Sequence, residues 1–154
     1  INRAKLTAAD LTGTNLANVD ARKAVLIRAE LTGANLSQAD LSEAILENAS
    51  FRSANLSGAS LLIARMKQAD FSGASLVSAN IRQAIGPGVF FTGADLTGAA
   101  LGWAVLPGAD FREANLAGAN LSGADLSGTD FTRAIWTDAS LCYSASCDDR
   151  AYLD

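Results

Sequence analysis

The amino-acid sequence predicts an all-β fold, a four-sided coil (a quadrilateral β-helix) of about seven turns with twenty residues in each. Three observations carry that prediction. The 154-residue chain returns to one chemistry every five residues from Ala4 to Tyr143, with no insertion or deletion. Five of its six Phe share one column spaced by twenty: Phe51, Phe71, Phe91, Phe111 and Phe131. Eleven of its 13 Gly occupy one slot of the five. A beat of five is neither the helical period of 3.6 nor the strand period of 2. Self-similarity at a fixed period marks a stacked repeat.

The pentads justify the coil side by side. With centres at residues 6, 11, 16 and onward to 141 there are 28 of them, and 23 centres are Leu or Phe. The exceptions are Ala21, Met66, Ile81, Gly86 and Trp136. Two residues earlier stands Ala in 24 of 28, the exceptions being Thr14, Val19, Val89 and Thr129. The slot just before the centre is often Asp, Asn or Ser, and the slot after it Ser, Thr or Arg. If one pentad is one side of a square, residues twenty apart stack directly, about 4.8 Å from one another. Seven coils then make a rod of roughly 34 Å. Centre and Ala point inward, because a bore this narrow takes one large and one small side chain per side. Gly, or Asn at Asn18 and Asn48, stands where a type II turn needs positive φ. Each coil touches only its neighbours, so stability builds up coil by coil.

Composition narrows the function. The formal net charge of −4 argues against a duplex-binding basic surface, and no nucleic-acid partner is expected. The chain holds no His, which removes the commonest general base and metal ligand. The glycines are accounted for by turns rather than by a phosphate-cradling loop, so no enzyme, cofactor or metal site is expected. Two Cys allow at most one disulfide. No apolar run approaches the ~20 residues of a membrane span, so a membrane is expected as a partner only through a segment outside this chain. The chain opens at Ile1, which fits a trimmed start or a piece of a longer protein. Its compartment stays open between bacterial cytoplasm and, for a processed piece, lumen or periplasm.

The segments "ADLTG" at 94–98, "ANLSG" at 54–58 and "ADFSG" at 69–73 resemble the A(D/N)LXX motif of the pentapeptide-repeat family. The resemblance covers residues 4–143. It implies a right-handed quadrilateral β-helix over 1–143, with 144–154 as a C-terminal cap or tail. It implies a scaffold more than an activity. Some members protect DNA gyrase from quinolones by mimicking DNA. Others are cyanobacterial, in the cytoplasm, the thylakoid lumen or fused to membrane segments, one of them needed for heterocyst glycolipid deposition. A terminal Cys pair is thought to be bonded in some lumenal members. Cys142 and Cys147 here are either such a disulfide or two free thiols.

Function is to be sought where the beat falters. Before the centre, side one reads Lys5, Val25, Ile45, Arg65, Ile85, Val105 and Asp125. The adjoining corner contributes Ile63 and Trp103, with Leu62 beside them. Leu62, Ile63, Ile85, Trp103 and Val105 form a candidate partner-binding patch of the kind that marks a protein or membrane contact. The Val and Ile column alone is equally a β-favouring ladder, whereas Trp is enriched at binding hot spots. On side two Asp10, Glu30, Asp70, Asp110 and Asp130 are either a DNA-mimicking face or the ordinary solvated Asp of the repeat. "QAIGPGVFF" (83–91) puts Gly86 where a core Leu belongs. That predicts a local gap into which Met66 leans, or a notch for a ligand beside Ile85. The leading expectation is a non-catalytic rigid scaffold for protein–protein interaction, with a homo-oligomer and one domain of a larger chain both open. The alternatives are a gyrase-directed DNA mimic and an extra-cytosolic or membrane-tethered domain.

Overall fold

The computed structural model describes residues 1–137. Cys142, Cys147 and the expected tail at 144–154 lie outside the described residues. Backbone pairing runs in four columns. Lys5 pairs in parallel with Val25, Val25 with Ile45, and so on to Asp125. Columns beginning at Asp10, Asn15 and Asp20 do the same, always twenty residues apart. These columns are sides one to four of a square coil. Each side contributes a single bridged residue rather than an extended strand. The ladder is nevertheless continuous, with the Leu6 amide donating to the Val25 carbonyl at 2.7 Å and the Val25 amide to the Ala4 carbonyl at 2.9 Å.

Two local features turn the chain through each corner. The Ala9 amide donates to the Leu6 carbonyl at 3.1 Å, closing a four-residue turn, and this bond recurs along the chain. At the third residue of each turn, from Arg3 to Arg133 in steps of five, φ lies between 53 and 69°. That is the left-handed value a type II turn requires. The second feature explains the Asp/Asn slot. In every described case the side chain accepts a hydrogen bond from the amide two residues on, as in Thr12 N–H to Asp10 (3.0 Å), Ser37 N–H to Asn35 (3.1 Å) and Ser72 N–H to Asp70 (2.9 Å). The side chain thereby holds the opening of the turn, as short polar side chains do in Asx turns.

The core is a dry column. Centre and Ala side chains are buried from Ala21 to Trp136. Phe51, Phe71, Phe91, Phe111 and Phe131 stack with centroid separations of 4.7, 5.3, 4.8 and 5.3 Å, and Trp136 closes on Phe131 edge-on at 4.8 Å. Burying each such side chain is worth about 1.5–3 kcal/mol before the entropy of ordering is subtracted. Hydroxyls in the Ala slot are satisfied by carbonyls, Thr14 on Leu11 at 2.7 Å and Thr129 on Leu106 at 3.3 Å. Among the described residues no buried side-chain nitrogen or oxygen lacks a partner.

Gly86 leaves no notch. It is buried, and a Cβ built on it would stand 2.9 Å from Met66 Cγ and 3.2 Å from Leu106 Cδ2. Met66 has leaned into the space from the coil before and Leu106 from the coil after. Of the two sequence readings, the filled gap holds.

Candidate functional site

Side one runs between two corners, so its outer surface comprises the bridged residue and the corner residues on either side. In the coil of residues 101–120 it presents Trp103, Val105 and Pro107, and in the coil of 81–100 it presents Ile85 and Pro87. Ile85 and Val105 are bridge partners, so they are direct neighbours. Trp103 precedes Val105 on the same coil and is 64% exposed. Ile63 shares the corner column of Trp103 two coils away, with Gln83 between them. Ile63 and Ile85 are 45% and 49% exposed, Val105 is exposed too, and Leu62 is half-buried. The structure thus places four of the five candidate residues in solvent on one face, with Leu62 at its margin.

The backbone singles out two of them. Trp103 has φ of 60° and Ile63 of 58°. A left-handed conformation costs an L residue roughly 1–2 kcal/mol, and β-branched or bulky residues are rare there. Neither side chain recovers that cost in the core. The Trp103 indole lies across the next coil at Gly123, where a Cβ would come 2.7 Å from its Cε3. Gly123 therefore leaves room for the ring as well as taking the positive φ of 69°.

Two contributions escaped sequence reasoning. Phe90 on side two is exposed, around the Pro87–Gly88 corner from Ile85. More importantly, side one gathers cations. Arg3, Lys5, Arg22, Lys23 and Arg28 lie on it or its corners in residues 1–40, and Arg65, Lys67 and Arg82 farther along. Those are eight of the chain's 12 Lys and Arg, against three acids there, Glu43, Glu47 and Asp125, a net of +5 on one face of a chain of net −4. Counting charges by column rather than along the chain would have revealed this.

Four of the five side-two acids, Asp10, Asp70, Asp110 and Asp130, are tied into the repeat. Thr12, first through its hydroxyl and then its amide, lowers the Asp10 pKa. At Asp20, on side four, the Arg22 guanidinium, the Asn2 amide and the Arg22 backbone amide lower it strongly. Burial raises Asp70 and Asp110. At Asp70 the Ser72 hydroxyl and amide and Arg52 (2.7 Å) outweigh it; at Asp110 Arg112 (2.6 Å) and the Thr92 hydroxyl do, so both end below the usual carboxylate range. These carboxylates are partnered within the chain. Among the described residues no cluster of His, Cys, Asp or Glu could hold a metal, and no helix is long and apolar enough to cross a membrane.

The repeat register and the four bridge columns agree with comparisons to known proteins. The chain matches the pentapeptide repeats family in eight copies, over residues 2–38, 29–61, 64–101, 74–112 and 94–133. It belongs to the pentapeptide-repeat family. HetL of the cyanobacterium Nostoc sp. strain PCC 7120, described as involved in regulating heterocyst differentiation, is 35% identical, with 92% of this chain and 68% of that one covered and a TM-score of 0.35. Rfr23 of the cyanobacterium Cyanothece 51142 is 28% identical, covering 82% and 87%, with a TM-score of 0.48. A trypsin-treated form of QnrB1, a plasmid-mediated fluoroquinolone resistance protein, is 22% identical, covering 81% and 69%, with a TM-score of 0.50, a likeness of fold alone. No curated protein matches the chain. The fold is the quadrilateral β-helix of this family, whose members are generally non-catalytic structural or interaction proteins.

Proposed function

We propose that this pentapeptide-repeat protein is a rigid display scaffold, a right-handed rod of about seven coils whose contact face is side one. The contact surface is the patch of Ile63, Ile85, Trp103 and Val105, with Leu62 at its edge. The observation that carries this reading is Trp103: a bulky, largely exposed aromatic held at φ of 60° on a corner where Gly is the easy choice. The rod supplies stiffness, since its core is dry and its turns recur in register, so displayed side chains lose little freedom on binding. The test is cross-linking or affinity capture from the native cell with the unaltered chain and with Trp103→Ser/Val105→Ser. The variant is expected to keep its melting temperature and lose capture. Unaltered capture removes side one as the contact face.

A further inference from the structure

Side one differs from the other three sides in charge as well as in apolarity, and the two properties coincide in the coils of 61–120. We propose that side one docks flat on an anionic lipid surface, its cations at headgroup level and Trp103, Val105 and Ile85 in the interfacial layer. The inference rests on side one being the contact face and names lipid, in place of protein, as what covers it. The other three sides would then be the ones free for display.

The pairing pattern supports this first. Among the described residues Arg3, Lys5, Arg28, Lys67 and Arg82 enter no ion pair, and all five lie on side one or its corners. The described cations elsewhere, Arg52, Arg112 and Arg133, are each paired with a carboxylate of a neighbouring coil or pentad. Arg22, Lys23 and Arg65 on this face are paired as well, but every described Lys or Arg without a carboxylate partner lies here. Shape comes second. The bridged columns set the outer residues in a flat array with a step of about 4.8 Å, so Arg3 to Trp103 spans roughly 24 Å. The shallow depression near this face, about 410 Å³, sits at its first corner and is lined by Asn2, Arg3, Arg22, Lys23 and Glu43.

Chemistry decides between occupants. A nucleic-acid backbone would use the cations but has nothing for Ile63, Ile85 and Val105. Protein interfaces enrich aromatic residues and Arg but are depleted in Lys, and three of the eight cations on this face are Lys5, Lys23 and Lys67. The bilayer interface uses both at once: Trp favours the boundary between headgroup and acyl chain, and Lys and Arg meet anionic headgroups. The attachment would be peripheral and salt-dependent.

The experiment is sedimentation of the 154-residue chain with phosphatidylcholine vesicles, with and without phosphatidylserine. Binding is expected to be at least about tenfold tighter with the anionic lipid and to fall as salt shortens the screening length. Trp103 emission should shift to the blue and be quenched by brominated lipid, while buried Trp136 stays silent. Lys67→Glu/Arg82→Glu is expected to lose about tenfold or more in affinity, and Arg133→Glu, off the face, to retain binding, with circular dichroism verifying the fold of each. Equal binding to neutral and anionic vesicles, equal loss in Arg133→Glu, or no binding at low salt overturns the proposal. If vesicles are ignored while protein capture still depends on Trp103, the lipid inference falls and the display reading stands.

Discussion

Trp103 and Ile63 hold a conformation that Gly holds at eleven other corners, from Gly13 to Gly128. Relieving that strain should outweigh the extra freedom Gly brings to the unfolded chain. Trp103→Gly and Ile63→Gly are therefore expected to raise stability by about 1 kcal/mol each, read as a higher urea midpoint at constant m. A drop instead would mean that these side chains are structural and would undercut their role in contact. Gly86 behaves oppositely, because its space is already occupied. Gly86→Leu restores the repeat's core residue yet should destabilise by about 1–3 kcal/mol through overpacking. Adding Met66→Ala should recover much of that loss, since Met66 fills the site. A double-mutant cycle measures the coupling, and additivity would show that the two residues do not share the space.

At the scale of the turn, the Asp/Asn slot links sequence, hydrogen bonding and pH. Asp70 and Asp110 have folded pKa values lowered by hydrogen bonds and by Arg, relative to about 3.9 when unfolded. A lowered folded pKa adds stability that is fully present above the unfolded value and is lost as pH falls through the folded one. Thermal midpoints should therefore decline below about pH 4. Asp70→Asn and Asp110→Asn keep an acceptor for the turn amide, as Asn115 does for Ala117 at 3.1 Å, but remove the titration. Each variant should be less stable than the parent at neutral pH, with the gap closing in acid. A gap independent of pH would show that the carboxylates contribute nothing through their charge. Sequence periodicity placed this slot outside, which was right. It could not show that the side chain turns back onto its own backbone, because that bond depends on the corner's φ and not on polarity.

The whole rod shows why the fold was legible and the face only partly so. A beat of five, a Phe column at twenty and glycines in one slot determine the bore, the stacking and the corners, because each constrains geometry locally and repeatedly. Trp103, Ile85 and Val105 were legible as breaks in that repeat. The cations were not, because Arg3 and Arg82 are 79 positions apart in sequence and share a face only once the chain has coiled. This supplies a test at the same scale. Deleting residues 41–60 removes one coil in register, costs four core layers and keeps every downstream residue on its own side. Deleting residues 46–50 costs one layer, and the Phe51 to Phe131 stack moves as a unit. It rotates everything downstream by a quarter turn, so Arg65, Lys67, Arg82 and Trp103 leave the face that holds Arg3, Lys5 and Arg28. The larger deletion should be the less stable in urea, since each layer buries a Leu or Phe worth about 1.5–3 kcal/mol gross, yet it should retain anionic vesicle binding. The smaller should be the more stable and bind more weakly. If affinity instead follows stability, alignment along side one does not matter, and the face is not a single docking surface.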